Sequence, residues 1–113
     1  MEELFEVSVT RREGAYVVTA VGEVDVSTAP ELRQRLYEQP ADTVVVVDLS
    51  DVTFLDSTGL GVLVAALKRV REHDANGELH LVVHRPQVSK VLEVTGLSEV
   101  FSIHPTLEEA LAR

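Results

Sequence analysis

The chain contains no cysteine and no tryptophan, and its 113 residues include only two tyrosines and three phenylalanines. Without cysteine there is no disulfide, no iron–sulfur cluster and no thiol nucleophile. With so few aromatic residues the core must be built from Val, Leu and Ala, and abundant Val favours strands. No Lys/Arg-rich run offsets the formal net charge of -9. An acidic balance opposes binding to nucleic-acid phosphates, so no direct nucleic-acid partner is expected. It fits solubility, or attraction to a basic surface on a protein partner. The longest apolar stretch, Leu60 to Leu67, falls far short of the roughly 18–20 residues that a membrane helix needs. The first residues, Met1 to Glu6, are acidic and lack the apolar segment of a secretory signal. These absences predict a cytoplasmic protein with no membrane association.

What is present suits one globular domain spanning residues 1–113, with 45% hydrophobic and 26% charged residues. Phe5, Val7 and Val9 alternate with polar neighbours as in a strand, and Arg11-Arg12-Glu13-Gly14 reads as a turn into a second strand from Ala15 to Val21. Gly22-Glu23-Val24-Asp25 closes that hairpin. Thr28 and Glu31 form a capping box for a first helix, with Pro30 tolerated in its first turn and Gln39-Pro40 ending it. Thr43 to Leu49 is nearly continuous in apolar residues, the mark of a strand buried on both faces. A short polar loop follows. Leu60, Leu63, Val64, Leu67 and Val70 then repeat at helical spacing, and His73 to Gly77 end that helix.

A strand over Leu79–Val83, a helix from Pro86 to Gly96, a short strand over Val100–Ile103 and a last helix capped by Thr106 and Glu109 complete the chain. The order β-β-α-β-α-β-α-β-α predicts an α/β fold, a mixed sheet of about five strands with about four helices, the later strands being parallel.

The segment Asp56-Ser57-Thr58-Gly59-Leu60-Gly61 heads the second long helix. Helix starts carry unpaired N–H groups and partial positive charge, and Asp56 or Ser57 is suited to cap them. Gly59 and Gly61 each cost about 0.5–1 kcal/mol relative to Ala in a helix. They make sense where a neighbouring segment or a partner approaches the backbone closely. The loop also lies beyond the carboxyl end of a central strand, where α/β sheets gather ligand and partner sites. No histidine is placed by sequence beside Ser57 as a base, and Gly-x-Ser-x-Gly is absent, so no catalytic residue is assigned. His80 and His84 would lie about 13 Å apart along a strand, too far to share one ion. Neither a metal nor a cofactor site is expected.

These residues resemble the STAS-domain family, specifically the anti-sigma factor antagonists of bacteria. Gly22-Glu23-Val24-Asp25 with Thr28, the central Asp48 to Gly61 segment, and Leu92-Glu93-Val94-Thr95-Gly96-Leu97 carry the resemblance. It implies a single STAS-like domain that is a regulatory binding protein and not an enzyme. Ser57 would be phosphorylated by an anti-sigma factor that is itself a Ser/Thr kinase, with Thr58 as a secondary candidate. Unphosphorylated, the protein would bind that kinase and release sigma factor; a separate Ser/Thr phosphatase would restore the binding-competent form. The partner surface would comprise Asp25, Thr28, Asp56, Ser57, Thr58, Gly59, Leu60 and Gly61, with the two glycines allowing close approach and Leu60 adding an apolar contact if exposed. The alternative is a STAS adaptor of a transporter or signalling assembly, without a phosphoswitch.

Overall fold

Glu13 and Gly14, with φ of 50° and 82°, form the two-residue turn between β1 (Glu6–Arg12) and β2 (Ala15–Val24). Positive φ at both positions gives the twist that a tight antiparallel hairpin requires. The computed structural model describes residues 4–72 and 76–113. The chain continues through α1 (Ala29–Tyr37), β3 (Val44–Leu55), α2 (Ser57–Glu72), β4 (Glu78–Val82), α3 (Pro86–Val94), β5 (Ser102–His104) and α4 (Leu107–Ala112). This is the element order expected from sequence, with one added 3-10 turn at Leu97–Glu99. The acidic start at Met1 to Glu3, and His73 to Ala75 of the expected helix stop, lie outside the described residues.

The five strands are ordered β1-β2-β3-β4-β5. β1 runs antiparallel to β2, and the other neighbours are parallel. Sequential parallel strands joined by right-handed crossovers put their connecting helices on one face. The main core is accordingly built from Leu32 and Leu36 of α1, Leu63 and Leu67 of α2, and Val88 and Leu92 of α3, packed with Val18, Val47, Leu49 and Leu81 of the sheet. The opposite face buries Ala15, Val17, Val46 and Val82 under Ala110 and Leu111 of α4. Val46 and Val47 thus sit in different cores, which is why β3 reads as unbroken valine. No helix among the described residues is long and apolar enough to cross a membrane.

Three local expectations are corrected. The segment after Leu49 is not a polar loop: β3 runs on to Leu55, and β2 runs alongside it to Val24 instead of closing at Gly22. The register slips between Thr19 and Val21 and again between Gly22 and Glu23. Leu49, Val52 and Leu55 therefore all face the core at a spacing of three, which hides the two-residue period of a strand. Thr28 precedes α1, but its side chain makes no capping bond to the helix. Its hydroxyl is committed to Glu23 instead. His84 lies beyond the end of β4, outside the strand that carries His80. At the other helix, Thr106 Oγ1 accepts from the Glu109 amide at 3.1 Å.

Candidate functional site

β3 delivers Asp56 and Ser57 to the carboxyl edge of the sheet, where α2 begins. Asp56 Oδ1 accepts the Gly59 amide at 3.0 Å, and Asp56 O accepts that of Leu60 at 2.9 Å. Asp56 is the helix cap. Ser57 and Thr58 are exposed on the first turn, and neither hydroxyl has a hydrogen-bond partner among the described residues. The first amides of α2 have no acceptor within the helix. The Ser57 hydroxyl thus stands free beside a fixed carboxylate and the positive end of a 16-residue helix.

The β2–α1 turn is tied to the same edge: the Asp56 amide donates to Val24 O at 3.2 Å. Within that turn Asp25 Oδ1 accepts from the Ser27 hydroxyl at 2.8 Å, the Ser27 amide at 3.0 Å and the Thr28 amide at 3.2 Å. The Thr28 hydroxyl donates to Glu23 O at 2.7 Å and accepts from the Asp25 amide at 2.9 Å. The Ser27 hydroxyl bond, followed by the Ser27 and Thr28 amides, holds the Asp25 carboxyl below its usual value against an opposing push from desolvation. Asp25 and Thr28 therefore act first as braces of this turn. The turn they brace presents Val26, 72% exposed.

The two glycines differ. Gly59 is buried, and a Cβ there would lie 2.5 Å from Leu55 Cδ1 and 2.8 Å from Val24 Cγ1. It is small so that α2 can close on the ends of β2 and β3. Gly61 is exposed, with nothing within 4 Å of the place a methyl would take, and leaves the helix surface bare. Leu60 is 9% exposed and belongs to the core. Gly59 and Leu60, expected on the partner surface, are thus structural. The edge instead exposes two apolar side chains that sequence reasoning missed, Val26 and Phe54, the latter 48% exposed and paired in register with Glu23. A signal for Phe54 existed in the sequence: it sits between two residues of the buried Leu49-Val52-Leu55 series.

Among the described residues, no group of three or more His, Asp or Glu side chains is placed to hold a metal ion, and Ser57 makes no hydrogen bond to a histidine. The polar cluster elsewhere is Glu78–His80–His104. His80 bonds Glu78 Oε1 at 2.8 Å through Nε2 and His104 Nε2 at 2.9 Å through Nδ1. It joins β4 to the edge strand β5.

The family model of the STAS domain matches residues 6–110. The anti-sigma-B factor antagonist of Staphylococcus aureus is 32% identical over 104 residues, covering 90% of this chain and 94% of that protein. The protein of the same description from Listeria monocytogenes is 36% identical over 88 residues, covering 76% of this chain and 75% of its own length. The crystal structure of an anti-sigma factor antagonist from Mycobacterium paratuberculosis superposes with a TM-score of 0.85 at 33% identity, over 96% of this chain and 92% of that one.

Proposed function

The chain belongs to the STAS-domain family, and on that premise we propose that it is an anti-sigma factor antagonist acting through the edge that carries Ser57. The whole of residues 1–113 is read as one STAS domain working in the cytoplasm as a binding protein, without enzymatic activity of its own. Its partner is an anti-sigma factor that is also a Ser/Thr kinase. The unphosphorylated protein binds it and frees sigma factor. Phosphorylation of Ser57, with Thr58 as the neighbouring acceptor, ends that binding, and a Ser/Thr phosphatase reverses it.

The observation that carries this reading is the exposed, unbonded Ser57 hydroxyl one residue after a capping aspartate. A phosphate there adds about -1.5 to -2 charge. The positive end of α2 accommodates it, so the fold is spared. Within an interface the same group must be desolvated beside Asp56. A penalty of about 2.8 kcal/mol suffices for a hundredfold loss of affinity. Val26, Phe54 and the bare backbone at Gly61 supply the surrounding contact surface, with Asp25 and Thr28 fixing the loop that presents Val26.

Calorimetric titration of wild type, Ser57→Ala and Ser57→Asp against candidate anti-sigma kinases of the same genome tests the proposal. Wild type and Ser57→Ala should bind, and Ser57→Asp should bind at least tenfold more weakly with an unchanged circular dichroism spectrum. Equal binding by all three would remove the phosphoswitch and favour the adaptor. Binding to no candidate kinase would overturn the antagonist reading.

A further inference from the structure

On the outer face of α1 and α2 lies an open groove of about 370 Å³, lined by Tyr37, Ala65, Lys68, Arg69 and Glu72. Tyr37 packs its ring partly into the main core. Two guanidinium groups lie over that ring: Arg33 of α1 at 4.4 Å from the centroid and Arg69 of α2 at 5.1 Å. Lys68 stands exposed beside them. Among the described residues none of these three cations has an ion pair; the pairs present are Arg35–Glu38, His80–Glu78 and Arg85–Asp51.

That concentration is unexpected from the charge count. The chain has 19 acidic and 10 basic residues, so a basic side chain has many opposite charges with which to pair. Arg69 and Arg71 occupy the last turn of α2, where cations complement the helix dipole. Arg33 and Lys68 lie outside that turn, and the dipole does not account for them. Contact with the Tyr37 ring restrains the Arg33 and Arg69 side chains, so less side-chain entropy is lost when a bidentate acceptor arrives.

We propose that this groove docks an acidic segment of a protein partner through its carboxylates. The chemistry favours spaced carboxylates over a compact phosphate. The groove draws on the C-terminal parts of both helices, so it lacks the free amides that phosphate sites take from helix starts. Glu72 stands in the same groove and opposes dense negative charge, whereas an extended segment can place single carboxylates opposite Arg33, Lys68 and Arg69. Lys68 and Arg69 follow Ser57 by about 17 Å along α2, at 1.5 Å per residue. The surface is therefore separate from the Ser57 edge and does not depend on the switch.

The test is an NMR titration of the ¹⁵N-labelled protein at low salt with three probes: a glutamate-rich peptide, its glutamine counterpart and inorganic phosphate. The glutamate peptide should shift the amides around Arg33, Tyr37, Lys68 and Arg69, and the glutamine peptide should not. Binding should weaken with added salt. The double variant Arg33→Gln/Arg69→Gln should lose at least tenfold in affinity with an unchanged circular dichroism spectrum. Arg33→Lys/Arg69→Lys, which keeps charge but not the fork, should lose an intermediate amount. No shifts, shifts centred elsewhere, or full binding by Arg33→Gln/Arg69→Gln would overturn the proposal. Equal shifts with phosphate would overturn its assignment to carboxylates. None of these outcomes depends on whether Ser57 is phosphorylated.

Discussion

Asp56 takes the Gly59 amide at 3.0 Å and so caps α2 in place of its neighbour Ser57. The two residues are adjacent in sequence but divide structure from exposure. Asp56→Ala should cost about 1 kcal/mol of stability, the usual value of an N-cap. Ser57→Ala should stay within about 0.5 kcal/mol of wild type, as exposed substitutions do. Urea denaturation of both variants measures the difference. A loss at Ser57 matching that at Asp56 would contradict the assignment of the cap.

Gly59 and Gly61 should respond oppositely to alanine. At Gly59 the added methyl meets Leu55 and Val24 at 2.5 and 2.8 Å, and overpacking of that kind costs about 1–3 kcal/mol. At Gly61 nothing lies within 4 Å, so the gain in helix propensity should stabilise by about 0.5–1 kcal/mol. The shift in denaturation midpoint should therefore differ in sign between the two variants.

Stability should fall in mild acid through His104. Its pKa lies below the ordinary 6.5 because burial disfavours the charged ring and His80 repels it, while Glu109 pulls the other way. The folded chain then binds this proton more weakly than the unfolded chain. The contribution is complete above pH 6.5 and is lost as pH falls from there toward the folded value. His104→Gln should show a smaller drop in urea midpoint than wild type between about pH 7 and about pH 5.5. An equal drop in both would exclude His104 as the source.

The hairpin turn carries a removable strain. Glu13 holds a φ of 50°, a region that costs an ordinary L-residue about 1–2 kcal/mol. Asn tolerates that conformation better and suits the first position of such a turn. Glu13→Asn should raise stability by about 0.5–1 kcal/mol, read as a higher melting temperature with an unchanged spectrum.

The features legible in sequence were those with short-range causes. The stripe from Leu60 to Val70, the Thr106 cap and the glycine stop at Gly96, whose φ is 78°, each follow from residues within a turn or two of one another. Ser57 was also legible as a hydroxyl at a helix start, but which of Asp56 and Ser57 caps the helix was not. The extent of β3 was not, because two register slips spoil its alternation. Thr28 looks like a cap because only the structure reveals that Glu23 O lies 2.7 Å from its hydroxyl. Leu60 reads equally well as surface or core at the head of an amphipathic helix. His80 and His104 are 24 residues apart, and only the parallel pairing of β4 with β5 brings them together.

The six-residue α4 covers a patch on one face of the central strands, where Val17, Val46 and Val82 are at most 1% exposed. A helix so short has little cohesion apart from its packing. Its detachment would bare a valine strip across three neighbouring strands while the larger core beneath α1, α2 and α3 stayed intact. The resulting species would be nearly native yet adhesive, prone to stick to its own kind before it unfolds. A valine strip spanning three strands is thus guarded by the shortest α-helix among the described residues.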